Sequence, residues 1–130
     1  MNQTFTLHGS RIHDISSFYQ EVNREFMADE SWQLAESLDA LNDMLYGGYG
    51  ALRGNEPATL IWRDIAHSRA ALGLDTTRRF LQNKIAQPER YNTRYIQQQL
   101  DALESGQGAT YFEIVMEIIA DHPNITLQEA

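Results

Sequence analysis

The chain has 130 residues, a formal net charge of −8 and no cysteine. This length suits one compact domain, and the lack of cysteine excludes disulfides, thiol nucleophiles and thiolate metal sites. The sequence has no apolar run long enough to span a bilayer and no signal-peptide pattern at its amino end. We therefore expect a cytoplasmic protein.

The acidic residues are segregated along the chain. Residues 25–52 contain six carboxylates and no lysine or arginine, and residues 95–130 contain six more without a basic residue. Residues 53–94 hold eight of the ten basic side chains. This pattern lacks the clustered cations of a nucleic-acid-binding surface and favours a cationic partner. The alternative is that acidic helices only keep the protein soluble.

The first part of the chain predicts one strand and two helices. Residues 4–7 alternate polar and apolar side chains and end at a turn, as a short strand does. A helix begins at Asp14 or Ser16, either of which is a good N-cap, and leads to an exposed loop over residues 28–36. A second helix covers residues 37–46 and stops at a pair of glycines.

The remainder predicts four helices between two strands. An almost continuous apolar run at residues 58–62 is typical of a strand covered on both faces. The helices cover residues 65–72, Asp75 or Thr76 to Ile85, Pro88 to Leu100, and residues 110–120. Alternation at residues 125–128 indicates a last strand. Strands separated by helices normally return parallel, so we expect an α/β fold with a three-stranded parallel sheet.

No pattern in the sequence indicates a metal or cofactor site. The four histidines are scattered, and the glycines after residue 46 follow a helix and lack the lysine of a phosphate-binding loop. Asp39 and Asp43 lie one helical turn apart and could serve as acid and base. Nothing in the sequence, however, gives the two carboxyl groups the different environments that a catalytic pair needs. A merely solvated polar face remains the other alternative.

A second acidic row lies on the last predicted helix. Glu113, Glu117 and Asp121 follow one another at i, i+4 spacing, opposite the apolar side of that helix. Like charges at this spacing destabilise an isolated helix by roughly 0.2–0.5 kcal/mol per pair. A cationic surface that supplies the missing partners explains both rows, so the sequence favours binding over catalysis.

The second helix carries a recognisable motif. Residues 37–45 read Ser-Leu-Asp-Ala-Leu-Asn-Asp-Met-Leu and are followed by Tyr-Gly, a run that resembles the second helix of the barstar family of intracellular ribonuclease inhibitors. In the same order, residues 15–20 resemble the first helix of the family, Leu-Ile-Trp-Arg at residues 60–63 its central strand, and residues 112–126 its last helix and strand. The resemblance covers residues 4–72 and 109–128 in all.

This resemblance implies a single barstar-like domain over residues 1–130, in which residues 73–108 are a helical insertion. It implies an inhibitor rather than an enzyme, without a cofactor, that binds a bacterial ribonuclease toxin one to one as an immunity protein or antitoxin. No direct contact with nucleic acid or membrane is implied, and the free form is expected to be monomeric. An acidic module that binds a protein other than a nuclease is the alternative.

The resemblance also selects the site residues. Asp39 and Asp43 match the two aspartates that enter the ribonuclease active site, with Asp43 as the central plug, and Glu117 matches a glutamate that pairs with an arginine of the enzyme. Further side chains are expected around these three carboxylates: Glu36, Trp32, Tyr46 and Tyr49.

The chain departs from the family pattern at several places. Asn42 stands where the family typically has a tryptophan, and Trp32 either replaces a missing aromatic anchor or packs back on the first helix. The insertion at residues 73–108 either caps one edge of the sheet or gives a second contact for a particular toxin. A nucleic-acid role for its basic residues lacks aromatic side chains interleaved with them, apart from Tyr91 and Tyr95.

Overall fold

The computed structural model describes residues 3–130, and a sheet of three parallel strands lies at its centre. The strands are β1 (Gln3–His8), β2 (Ala58–Arg63) and β3 (Ile125–Glu129). Strand β2 lies between the other two, so that Leu60 is opposite Phe5 on one side and Leu127 on the other. The predicted α/β fold with a three-stranded parallel sheet is confirmed.

Six α-helices in this part of the chain pack around the sheet: α1 (Ile15–Phe26), α2 (Leu38–Leu45), α3 (Ile65–Ala71), α4 (Leu74–Ile85), α5 (Thr93–Glu104) and α6 (Tyr111–Ala120). A short 3-10 helix, Gly9–Arg11, follows β1. The cap expected for α1 is present, since Asp14 accepts the backbone N–H of Ser17 at 2.8 Å and the Ser17 hydroxyl accepts that of Asp14 at 2.9 Å. Over residues 3–130, no helix combines the length and apolar character needed to cross a bilayer.

The starts predicted for α4 and α5 are wrong. Helix α4 begins earlier, with Gly73 as its N-cap, so that Asp75 lies in the first turn, where the helix dipole favours a carboxylate. Helix α5 begins at Thr93 rather than at Pro88, because the Asn92 side chain accepts a backbone N–H of the first turn and caps the helix there.

Trp62 of β2 lies in the main core and is fully buried. Its ring stacks on Phe18 of α1 with 6.1 Å between the ring centroids and lies 5.6 Å from the ring of Phe112 of α6. The indole N–H donates to the hydroxyl of Ser68 in α3 at 2.9 Å, so its polar edge is satisfied. The other face of β2 is only half-buried at Ile61, which is less cover than the sequence predicts.

Side chains of α1 cover the outer edge of β1. The buried carboxylate of Glu21 accepts the backbone N–H of His8 at 2.7 Å and pairs with Arg24 at 2.7 Å. Glu25 accepts the N–H of Thr6, and Arg24 donates to the carbonyl of Thr6 at 3.0 Å. Backbone groups bonded in this way are not free to pair with a strand of another chain, so α1 protects this edge from aggregation.

We expect the folded state to lose stability at acidic pH because of the protonation of Glu21. Burial raises the pKa of Glu21, but hydrogen bonds from Arg24 and from the N–H of His8 outweigh this effect and leave the pKa below its usual value. A carboxyl group of this kind contributes stability above its unfolded-state pKa and loses it as the pH falls towards the folded-state pKa.

We therefore expect the free energy of unfolding to fall more steeply below about pH 4.5 in the wild type than in Glu21→Gln. Urea unfolding at a series of pH values measures this difference. The exposed Glu89→Gln is the matched control and should keep the wild-type slope. Equal slopes for Glu21→Gln and the wild type would contradict the prediction.

Helices α4 and α5 form the α4–α5 hairpin, which has a small apolar cluster of three buried side chains: Leu81, Ile96 and Leu103. Phe80 joins this cluster to the main core, since its ring lies 5.2 Å from that of Tyr111 in α6. The hydroxyl of Thr77 accepts the N–H of Tyr111 at 2.8 Å and fixes the same contact. The hairpin therefore packs against α6, in the segment that the sequence predicts to be an insertion.

Candidate protein-binding site

Helix α2 presents Asp39 and Asp43 to solvent from one side. The hydroxyl of Ser37 caps the helix by accepting the N–H of Ala40 at 3.1 Å. The opposite side of the helix is buried through Leu41, Met44 and Leu45. Because the two aspartates are four residues apart, their carboxylates lie one turn apart, and both are exposed. The structure thus brings these two predicted residues together.

The turn after α2 directs the following loop back along the helix. Gly47 has a φ of +84°, a conformation that favours glycine, and a Cβ there would lie 2.2 Å from the backbone nitrogen of Gly54. Its carbonyl accepts the N–H of Gly54 at 3.2 Å. The loop returns far enough for the hydroxyl of Tyr49 to donate to the carbonyl of Ala40 at 3.4 Å.

Tyr49, which contacts α2, forms an aromatic pair with Trp32. The rings of Tyr49 and Trp32 are 4.9 Å apart, and Trp32 is 45% exposed. Burial, and then the charge of Asp43, raise the pKa of Tyr49. The indole N–H of Trp32 donates to Glu30 at 3.1 Å, and the side chain lines a surface cavity with Met27 at the end of α1. Trp32 therefore lies between Tyr49 and α1.

His122, which follows α6, holds the carboxyl end of α2. It is almost completely buried, and its Nε2 lies 2.8 Å from Oδ1 of Asn42. The ring of Tyr46, which is 62% exposed, lies edge-on to the imidazole at 4.7 Å. Asn42, where the family typically has a tryptophan, thus fixes α2 against the end of α6.

Replacing Asn42 by alanine should destabilise the fold by about 1–3 kcal/mol, because the buried nitrogen of His122 loses its hydrogen-bond partner. Urea unfolding of the variant gives this value. The exposed Asn83→Ala in α4 is the matched control, with an expected change within about 0.5 kcal/mol. A loss no larger than that of the control would show that the bond between α2 and α6 contributes nothing.

Glu36 lies immediately before the cap of α2. Its Oε1 accepts the hydroxyl of Ser16 at 2.8 Å, while the side chain remains exposed. Glu36 and Asp39 line one groove together with Lys84 of the α4–α5 hairpin. The acidic block at residues 25–52 therefore has a basic neighbour in space, although it has none in its own sequence.

The acidic row of α6 is not uniform. Glu113 accepts the N–H of Thr110 at 2.9 Å and belongs to a capping box at the start of the helix, so this carboxylate has a hydrogen-bond donor within its own helix. Asp121 is the C-cap residue. Glu117 is exposed, and its side chain makes no hydrogen bond or ion pair within residues 3–130.

Helix α6 runs beside α2 in the same direction. Leu38 and Ile114 line a common cavity near the start of both helices, and Asn42 meets His122 near their ends. Glu117 lies on α6 between these two contacts in chain order. The structure therefore places its element next to that of the two aspartates, without a bond from Glu117 to α2.

Within the described part of the chain, no three histidine, aspartate or glutamate side chains are placed to hold a metal ion. Asp39 and Asp43 are both exposed on one helix, whereas an acid and base pair needs two different environments. The geometry supports the binding of a cationic surface by exposed carboxylates.

Comparison with protein families finds one whose description is Barstar (barnase inhibitor), and it matches residues 2–95. The match covers well over half of the chain. The chain belongs to the barstar family. Membership suggests a ribonuclease inhibitor rather than an enzyme, and a ribonuclease as the partner. No curated protein gives a significant match to the chain.

The barstar match contains the whole of α2, with both aspartates, and extends through α4 into the start of α5. It therefore includes part of the segment predicted to be an insertion, whose status stays a prediction. Glu117 and β3 lie beyond residue 95. The assignment of Glu117 to the interface rests on the sequence resemblance to the barstar family and on the position of α6 beside α2.

Sequence reasoning missed the side chains that tertiary contacts bring next to α2. Lys84 is 45 positions from Asp39, and Asn42 is 80 positions from His122, so no local pattern indicates either contact. The capping role of Glu113 is different, because a threonine three residues before a glutamate is a recognised helix-start motif. That signal was present in the sequence.

Proposed function

We propose that the protein inhibits a ribonuclease by placing the exposed carboxylates of α2 in the phosphate-binding sites of the enzyme. The observation that carries this proposal is the pair Asp39 and Asp43, adjacent on one exposed helix face and without an ion pair among residues 3–130. Arginine and lysine side chains that bind RNA phosphates form equally strong, charge-assisted hydrogen bonds with carboxylates.

The three exposed carboxylates Asp39, Asp43 and Glu117 form what we call the acidic face. We assign to Asp43 the role of central plug that the resemblance to the barstar family implies, and Tyr49 of the aromatic pair contacts the same helix. Aromatic side chains around a charged contact exclude water and strengthen the hydrogen bonds inside the ring. The exposed ring of Tyr46, the C-cap residue of α2, adds a third aromatic side chain at the end of this helix.

The overall charge assists the encounter. A protein with a net charge of −8 attracts a basic enzyme over long distances, and this attraction weakens as salt is added. Peripheral acids act mainly on the association rate. Replacing Glu30 would change more than charge, since Glu30 also accepts a hydrogen bond from Trp32. The exposed Asp29 is the better residue for measuring the effect of a peripheral charge on the association rate.

The cellular role that fits this activity is that of an immunity protein or antitoxin, which neutralises one bacterial ribonuclease toxin in a complex of one to one. Binding occludes the active site and needs neither a cofactor nor direct contact with RNA.

The proposal is tested by measuring RNA cleavage by a panel of small basic bacterial ribonucleases, including any encoded beside the gene of this protein. We expect at least one enzyme to lose activity linearly with added protein and to reach full inhibition at one equivalent. If no enzyme in such a panel is inhibited, the proposed function is wrong, and the acidic face serves another protein partner.

A further inference from the structure

The groove between α2 and the α4–α5 hairpin already contains a cation. The groove has a volume of about 390 Å³, and its lining includes Glu36 and Asp39 on one side and Phe80, Lys84 and Tyr91 on the other. The ammonium nitrogen of Lys84 lies 4.3 Å from the centre of the Phe80 ring and 5.3 Å from that of Tyr91. Both distances fall within about 6 Å, the range of cation–π attraction. The hairpin thus provides two aromatic faces for a positive charge.

Lys84 lies in this groove without an ion-pair partner. It forms no ion pair within residues 3–130, although Asp39 lines the same groove. Burial lowers the pKa of Lys84, and the charge of Asp39 acts in the opposite direction without cancelling the effect. The ammonium group therefore loses hydration in the groove and gains no hydrogen bond from a carboxylate in return.

An arginine side chain matches the groove better than the resident lysine does. A guanidinium group is planar and weakly hydrated, and it can stack on an aromatic ring while it donates two parallel hydrogen bonds to a carboxylate. Asp39 is exposed and its side chain makes no hydrogen bond in the described structure, so both of its oxygens are free to accept. One arginine could use the rings and the carboxylate together.

We propose that an arginine side chain of the ribonuclease partner enters this groove in exchange for Lys84. The exchange extends the acidic face onto the α4–α5 hairpin, and Lys84 moves into solvent, where its hydration is restored. The inference rests on the proposed function for the identity of the partner. Ribonucleases that present an arginine at this position bind well, and those that do not must leave Lys84 in place, so the hairpin selects among enzymes.

The test uses the isolated protein and a small probe, Nα-acetyl-arginine amide, followed by NMR. In the free protein, ring currents should shift the ε-methylene signals of Lys84, and the probe should move them back to the values of a solvated lysine while it perturbs the rings of Phe80 and Tyr91. Lys84→Met should bind the probe about tenfold more tightly because the resident cation is gone. Asp39→Asn and Tyr91→Leu should each weaken binding, and Nα-acetyl-lysine amide should bind less well than the arginine probe.

Unchanged probe affinity in Lys84→Met would overturn the proposal, as would probe-induced shifts confined to other regions. A fall in the melting temperature of Lys84→Met without a gain in affinity would also overturn it, because Lys84 would then only fix the hairpin to α2. The titration needs no ribonuclease, so it fails or succeeds separately from the inhibition assay. Probe binding with no inhibition of any enzyme would keep the arginine site and remove the ribonuclease as its source.

Discussion

Asp43→Ala should remove most of the inhibition of the partner ribonuclease. In the proposed complex, the substitution leaves basic side chains of the enzyme buried at the interface without their carboxylate. Truncating one partner of a buried, hydrogen-bonded charge pair costs about 2–5 kcal/mol at protein interfaces. The dissociation constant should therefore rise by roughly 30- to 5000-fold, mostly through faster dissociation. Titration of the ribonuclease with each variant, read by RNA cleavage, measures this change.

Charge and position are separated by a matched pair of variants. Asp43→Asn and Asp101→Asn change the net charge equally, but Asp101 is an exposed residue of α5 and is not one of the three carboxylates of the acidic face. Only the first should lose tight inhibition, while the second should slow association slightly at low salt. Both variants should keep the wild-type circular dichroism spectrum. Inhibition by Asp43→Ala at the wild-type concentration would remove the proposed mechanism.

Trp62→Ala should destabilise the fold by about 3–5 kcal/mol, the usual cost of deleting a buried aromatic side chain. The variant loses ring contacts with Phe18 and Phe112, and it leaves the buried hydroxyl of Ser68 without the indole donor. A domain of this size is typically stable by about 5–15 kcal/mol, so this single change can remove much of the total. Trp62→Phe keeps most of the apolar volume and should cost less.

The second tryptophan gives a matched control for this experiment. The chain contains two tryptophans, and Trp32→Phe replaces the exposed one. Because Trp32 is 45% exposed, its replacement should change the free energy of unfolding by less than about 1 kcal/mol. Denaturant unfolding, followed by circular dichroism, measures the free energy of unfolding of all variants. A Trp62→Ala midpoint equal to that of the wild type would contradict the role assigned to this side chain.

Local signals account for the parts of the fold that could be predicted. The three strands follow from alternating or continuous apolar runs, and α1, α2 and α6 follow from apolar spacing together with the cap residues Asp14, Ser37 and Thr110. Parallel pairing follows from the helices between the strands. The prediction misplaces the start of α5, because the proline at residue 88 is also typical of a helix start, whereas the side chain of the asparagine at residue 92 makes the actual cap.

The candidate site is predictable only in part, for a physical reason. Asp39 and Asp43 share a helix turn, so their common exposure follows from periodicity alone. The approach of Lys84 to Asp39 depends on how the α4–α5 hairpin packs on α6, which is decided by the contacts of Phe80 and Thr77 with Tyr111. Such contacts between distant segments leave no periodic trace in a single sequence.

The proposed occlusion of the active site by α2 requires that the inhibitor and RNA exclude each other from the ribonuclease. The most direct measurement is therefore a competition experiment, in which a labelled, non-cleavable oligonucleotide bound to the enzyme is titrated with wild-type protein or Asp43→Ala and followed by fluorescence anisotropy. We expect the wild type to release the oligonucleotide completely at one equivalent and Asp43→Ala to release little of it. A stable ternary complex of enzyme, oligonucleotide and wild-type protein would contradict active-site occlusion.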